Sequence, residues 1–236
     1  MPKRVAALYD IHGNFLALEA VLADMKKFAP DEIVIGGDLA WGPEPVAVME
    51  RLMSLTGKIH FIRGNADREV AGRYGVGQGL EPWVADINLW CAGQLSASHM
   101  DFLGRLPEQK VLNMDGLGNV LFVHGSPRSD EESIRADTPE VEIMPMVKDV
   151  SPNMIVCGHT HIQFDRTVAG KRILNPGSVG LPSGTKGACW ALIGPDIELR
   201  VTEYDCVAAA ERIRRSGVPM AEDFAAHILH PPAEGP

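Results

Sequence analysis

The sequence is short of cysteine, of positive charge and of long apolar runs, and each shortage excludes a class of protein. Cys91, Cys157, Cys189 and Cys206 are the only cysteines in 236 residues, widely and irregularly spaced with no CxxC pair. They read as reduced core residues, not as a disulfide framework or a zinc knuckle. Lys and Arg total 22 against 31 Asp and Glu, a formal net charge of −9. That balance argues against sequence-independent nucleic-acid binding, which relies on basic side chains neutralising phosphates. Bound divalent cations can still make a site locally positive in an acidic chain. No stretch reaches the roughly 18 consecutive apolar residues of a membrane helix. The apolar run behind Lys3-Arg4 stops at Asp10, too short for the core of a signal peptide. The expected location is the cytoplasm. No internal repeat, low-complexity tract or composition break marks a linker, so a single domain over 1–236 is expected.

Hydrophobic residues at 45% and charged residues at 22% are ordinary for a folded domain. Short β-branched runs alternate with helical periodicity, which predicts an α/β protein. Strands are predicted over residues 5–10, 33–38 and 59–65, then over 120–124, 154–158, 172–175, 188–193 and 198–204, the last pair as antiparallel neighbours. Helices are predicted over 15–29 and, opened by Pro43 and Pro45, through Leu55. Residues 66–118 read as a helical, loop-rich insertion. Its amphipathic stretches are 83–91 and 98–106, the second opening on a Ser98/Asp101 pair that resembles a capping box. A helical tail from 205 carries the stretches 207–215 and 224–229.

Five segments share one layout, a strand-like run ending in a metal-capable residue. They are Asp10-Ile11-His12-Gly13-Asn14, Gly36-Gly37-Asp38, Arg63-Gly64-Asn65-Ala66-Asp67, Val123-His124-Gly125 and Gly158-His159-Thr160-His161. In α/β folds ligands gather in the loops after the carboxyl ends of strands. Glycine beside each ligand lets the backbone turn sharply and approach an ion or phosphate. Residues i and i+2 of a strand share a face. Asp10 and His12, and likewise His159 and His161, would therefore reach one ion if the backbone stays extended. Imidazole and carboxylate suit Mn, Fe or Zn, and the lack of a ligating thiol argues against structural zinc. Singly, each element is weak. Their order, each at a strand end, points to a metal site.

These segments resemble the successive signature blocks of the calcineurin-like metallophosphoesterases: D-x-H, G-D, G-N-(H/C)-(D/E), a lone His, and G-H-x-H. DIHGN at the start, VHGSP at 123–127, GHTH at 158–161 and NPGSVG at 175–180 are most similar to the small bacterial and archaeal phosphodiesterase branch. The resemblance spans about residues 3–204. It implies two mixed β-sheets packed face to face and flanked by helices, a four-layer α-β-β-α sandwich. It implies two divalent metal ions, Mn first, with Fe, Zn, Ni or Co as alternatives. Asp10, His12 and His161 correspond to ligands of the first metal, Asn65, His124 and His159 to ligands of the second, and Asp38 to the bridge. Asp38, Asn65 and His124 would then act in catalysis through the metals. The implied activity is hydrolysis of a small phosphate ester, foremost a phosphodiester. A phosphomonoesterase, of protein-phosphatase or dinucleoside-polyphosphate type, and a catalytically silent scaffold are the alternatives.

Several neighbours of these blocks have two readings. Arg63 either meets the substrate phosphate or braces its strand. Asn14 either contacts phosphate or caps the next helix, with capping favoured. Asp67 either orients an imidazole or starts a helix. Trp41 either stacks on a ring of the substrate or packs down, and the Asn175-Pro176-Gly177-Ser178 turn either lines the pocket or only turns. The chain departs from the common pattern at Ala66, where many members carry a histidine that stabilises the transition state or protonates the leaving group.

Overall fold

A computed structural model describes residues 3–168 and 170–236. Its frame is two five-stranded mixed sheets packed face to face, with helices on both outer faces.

The first sheet holds β1 (Val5–Leu8), β2 (Glu32–Ile35) and β3 (Ile59–Phe61) in parallel. It is completed by β9 (Ala188–Ile193), antiparallel to β1, and β10 (Ile197–Thr202), antiparallel to β9. The second sheet holds β5 (Gly118–Val123), β6 (Met154–Val156) and β8 (Lys171–Asn175) in parallel. Its edges are β4 (Gln109–Met114) and β7 (Phe164–Val168), each antiparallel to its neighbour. The strand period of two sorts the residues into layers. In β1, Val5 and Ala7 face the other sheet, joining Val120, Phe122, Val156 and Leu174 in the inter-sheet core. Ala6 and Leu8 face outward onto helices.

That outer layer is α1 (Phe15–Met25), α2 (Pro45–Met53), α3 (Asn65–Ala71), α4 (Pro82–Gln94), α5 (Ala97–Gly104), α7 (Cys206–Ser216) and α8 (Ala221–Leu229). Leu18, Leu22, Ile87, Leu103, Ile213 and Phe224 join Trp190 of β9 in that layer's buried cluster. The second sheet is covered by α6 (Glu140–Val147), through Ile143 and Val147. All four cysteines are buried and unpaired.

Several sequence readings need correction. Segment 66–118 is not wholly helical, because it contains β4, an edge strand. Strand β7 and helix α6 carried no clear sequence signal. The helix over 97–104 is capped by Ser96, whose side chain accepts from the His99 amide, and not by Ser98. The first three strands are shorter than expected, ending at Leu8, Ile35 and Phe61.

Candidate metal centre

Every strand that leads into the centre is parallel: β1, β2 and β3 from one sheet, β5, β6 and β8 from the other. Their carboxyl ends meet along one seam. The loops there are tied to one another through backbone hydrogen bonds. His12 N donates to Asp38 O at 2.9 Å, Gly13 N to Leu39 O at 3.0 Å, and Gly180 N to Asp10 O at 3.0 Å. Gly158 N donates to His124 O at 2.7 Å, stitching the second sheet's loops in the same way. Close approach makes glycine obligatory at two points. A Cβ at Gly180 would lie 1.8 Å from Ile11 O, and one at Gly64 would lie 2.1 Å from Asp38 Oδ1.

Backbone handedness differs from the sequence expectation. Asp10, His12, Asp38, His159 and His161 all have positive φ, between 47° and 66°. Asp10 and His12 therefore do not share the face of an extended strand, and neither do His159 and His161. They converge because the chain turns left-handed at each. That conformation costs an L-residue roughly 1–2 kcal/mol, and such strain collects at functional sites when the surroundings enforce it.

The side chains form two groups. Asp10, His12 and His161 offer ligand atoms within 4.8 Å of one another, and so do Asp38, His124 and His159. His12 Nε2 and His161 Nε2 are 3.0 Å apart, and His124 Nε2 lies 3.1 Å from Asn65 Oδ1. Asp38 Oδ2 sits between the groups, 3.6 Å from His12 Nε2 and 3.5 Å from His124 Nε2. Its other oxygen is held by the Ala66 amide at 3.0 Å. Asp10 Oδ2 accepts from His159 N at 3.1 Å. Asp10 Oδ1 is buried with no hydrogen-bond partner, 3.6 Å from His161 Nε2 and 3.9 Å from His124 Nε2. Thus the structure brings Asp10, His12, Asp38, Asn65, His124, His159 and His161 to one place.

The electrostatics reflect this crowding. Burial, then the neighbouring His161, lowers His12 to about 4. Burial, then His124, also lowers His159. Burial alone would lower His124, but the carboxylate of Asp38 prevails and raises it to about 10. Burial opposes ionisation of Asp10 and Asp38, yet His161 and His124 hold the former below its usual range and His124 the latter. Two buried carboxylates at the centre of four imidazoles call for positive charge between them.

Supporting residues fix the candidate ligand atoms. His12 Nδ1 faces Trp41 O at 3.2 Å and His124 Nδ1 faces Gly36 O at 2.9 Å, which leaves each Nε2 pointing inward. Sequence reasoning missed Glu69 and Asn88. Asn65 Nδ2 donates to Glu69 Oε1 at 3.5 Å, and Glu69 Oε2 accepts from Asn88 at 3.1 Å, turning the Asn65 oxygen toward His124. The signal was the i,i+4 spacing of Asn65 and Glu69 on α3. Asp67 orients no imidazole. Its carboxylate accepts from the amides of Asp38, Leu39 and Gly64, at 2.8, 2.9 and 2.9 Å.

Asn14 caps α1 by accepting from Ala17 N at 3.2 Å, and its amide donates to Gly180 O at 3.0 Å. The NPGS turn braces the loops, with Asn175 Nδ2 on Gly158 O at 2.9 Å and Ser178 Oγ on Asp10 O at 2.7 Å. Arg63 is paired with Glu108 at 2.7 Å and lines a cleft beside His124. Trp41 packs its ring against His12, 5.4 Å between centroids.

Residues 4–196 match the model of the calcineurin-like phosphoesterase superfamily domain. The chain belongs to that superfamily. An uncharacterised protein of Methanocaldococcus jannaschii is 29% identical over 239 residues, covering 91% of this chain and 93% of its own. A metallophosphoesterase from Sphaerobacter thermophilus is 27% identical, with a TM-score of 0.76 over 97% of this chain and 99% of its own. A hypothetical protein from Pyrococcus horikoshii shares the fold, with a TM-score of 0.84 at 23% identity over 95% and 98% of the two chains. Among the described residues, no helix is long and apolar enough to cross a membrane.

The superfamily implies divalent metal ions, and the residues fit them. Metal bonds of about 2.0–2.2 Å set adjacent ligand atoms roughly 3 Å apart. The contacts of 3.0 and 3.1 Å above have that spacing, and the orphaned Asp10 Oδ1 has no other partner to serve. Imidazole, carboxylate and amide oxygen without thiolate suit Mn, Fe or Zn.

Proposed function

We propose that the protein hydrolyses a small phosphate ester, foremost a phosphodiester, at two divalent cations, with Mn the preferred metal. Asp10, His12 and His161 would hold one cation and Asn65, His124 and His159 the other, with Asp38 shared between them. The observation that carries this reading is the position of Asp38 Oδ2, within 3.6 Å of an imidazole nitrogen from each group. Two such cations supply Lewis-acid stabilisation of phosphoryl oxygens and lower the pKa of a nucleophilic water. The chain's own contribution is placement. The carbonyls of Trp41 and Gly36 hold the proton of each imidazole at Nδ1. The neutral amide of Asn65 limits negative charge where an anionic substrate must enter. Ala66 presents no proton donor to a leaving group.

A diester is favoured over a monoester because the centre is flanked on both sides. One cleft beside His124 is lined by Arg63, Ser126 and Arg128. Another beside His161 is lined by Trp41, Trp83 and Leu181. A phosphorus carrying two ester groups uses both. The test is metal analysis of the purified protein, joined to hydrolysis of bis(4-nitrophenyl) phosphate and 4-nitrophenyl phosphate with added Mn²⁺. Two ions per chain and faster diester cleavage are expected. Faster monoester cleavage refutes the diester assignment, and activity unaffected by chelation refutes the metal mechanism.

A further inference from the structure

The two cation positions share a carboxylate but not their surroundings. The cleft beside His161 has a volume of about 350 Å³. It lies between the Trp41 loop, α4 and α8, with Trp41, Trp83, Ile87, Leu181 and Phe224 forming its apolar wall. We propose that this cleft is the subsite for one ester group of the substrate, and that it selects a flat aromatic group, neutral or cationic, over an alkyl or anionic one. That orientation rests on the phosphodiesterase reading above.

Position comes first. The Trp41 ring stands edge-on to His12 at 5.4 Å, and His161 lines the cleft itself, so a group seated there is adjacent to the reacting phosphorus. Size agrees, since ligand pockets run from about 300 to 1,000 Å³ and the lower end holds one ring system. The wall is built for rings. Trp41 meets Trp83 at 6.3 Å and 68°, and Phe224 at 5.4 Å and 59°. An inserted aromatic group continues that edge-to-face arrangement.

Exposure gives a second argument. Trp83 is 48% exposed and Met220 45%, both at the lip of the same cleft. Large apolar side chains left open beside a polar centre mark a ligand surface.

Charge then separates the two clefts. Asp223 and Glu234 line the apolar cleft, and among the described residues no Lys or Arg does. A second phosphate or a carboxylate is repelled there. The cleft beside His124 is mixed in charge, with Arg63 and Arg128 beside Glu108 and Asp130, and its lining is polar where the other is apolar. A diester is therefore seated with its aromatic group toward His161 and its polar group toward His124.

The test avoids leaving-group chemistry by using phosphonates that cannot be cleaved. Binding of phenylphosphonate and methylphosphonate to the Mn²⁺-loaded protein is measured by calorimetry, for the parent, Trp83→Ala and Trp83→Phe. Trp83 is exposed and outside the buried face of α4, formed by Ala85, Ile87, Asn88, Cys91 and Ala92, so both variants are expected to fold. The parent should bind the phenyl compound roughly 10- to 100-fold more tightly, given the apolar area a ring buries. Trp83→Ala should cut that ratio by about tenfold, while Trp83→Phe retains most of it. A parent ratio near one, no binding of either phosphonate, or a ratio unchanged in Trp83→Ala overturns the proposal. If the ratio holds while the Mn²⁺-loaded parent hydrolyses no phosphate ester, the subsite stands and the phosphodiesterase reading falls. If hydrolysis is clear and the ratio is near one, the reverse follows.

Discussion

Asp67 touches none of the proposed ligand side chains, yet it should control them. Only 1% of the residue is exposed, and its carboxylate accepts three backbone N–H groups, from Asp38, Leu39 and Gly64. Those bonds fasten the loop after β2 to the start of α3, the two segments that carry Asp38 and Asn65. Burial, then the charge of Asp38, raises this carboxyl to about 7, so the cluster holds the acid at a cost. Asp67→Ala leaves three buried donors without an acceptor, each worth about 1–3 kcal/mol, and partial relaxation brings the expected loss to about 3–5 kcal/mol. Asp67→Asn keeps one acceptor oxygen and should lose about 1–3 kcal/mol, the cost of one unsatisfied N–H. Urea unfolding of metal-free protein reads the loss as a lower midpoint at unchanged slope. Because the same bonds place Asp38, Mn²⁺ affinity in Asp67→Asn should fall about 10–100-fold, as for other supports of ligands. Stability of Asp67→Ala within about 0.5 kcal/mol of the parent, the range of an ordinary surface change, refutes the clamp.

Asp38→Asn should abolish turnover and lower metal content at both positions, measured by elemental analysis beside the activity assay. Retention of both ions with near-normal rates would make Asp38 an ordinary turn residue. Ala66→His should help alkyl esters more than nitrophenyl esters, since a general acid contributes about 10²–10⁴-fold where the leaving group needs a proton. Little leaving-group dependence in the parent, with chemistry rate-limiting, would show that another group already supplies the acid. Phe122, fully buried between the sheets, should cost about 3–5 kcal/mol on replacement by Ala in urea unfolding. A loss under about 1 kcal/mol would mean the inter-sheet core refills the space.

The fold was legible where one face of an element is apolar and the other is not. Helix α1 announced itself through Leu18, Val21, Leu22 and Met25, all of which are buried. The edge strands of the second sheet, β4 and β7, were hidden for the opposite reason. In β4, polar Gln109, Lys110 and Asn113 leave only Leu112 and Met114 buried, so no apolar run exists to read. Helix α6 contains Pro145, which argues locally against helix and is overruled by the packing of Ile143 and Val147 on the second sheet. Strands β1 and β3 were overrun because Tyr9, Ile11 and Ile62, all fully buried, continue the apolar pattern past the strand ends at Leu8 and Phe61. Burial governs the pattern, and burial persists where the backbone has already turned.

The site was legible for a reason that the extended-strand argument did not contain. Five of the seven proposed ligand residues adopt left-handed backbone, and the residues that tolerate it beside glycine are Asn, Asp and His. Those are also residues with good ligand atoms for Mn, Fe or Zn. One side-chain identity therefore meets two constraints, coordination and conformation, and the β-branched residues between them, Ile11 and Thr160, stay outside the left-handed set. That double constraint is why D-x-H and H-x-H can be read from sequence although the strand geometry invoked for them is wrong. Asp67, Glu69 and Asn88 were not readable in the same way. They act on backbone amides and on the orientation of one amide side chain, tasks that many polar residues can perform, and only the i,i+4 spacing of Asn65 and Glu69 leaves a trace in the sequence. A replacement of His161 by Asn tests the distinction. Asn keeps the left-handed backbone and supplies a weaker ligand, so the fold should hold at unchanged urea midpoint while metal at the Asp10–His12 position is lost. Unfolding of the loop instead would show that the imidazole itself, and not the turn it accepts, holds the seam together.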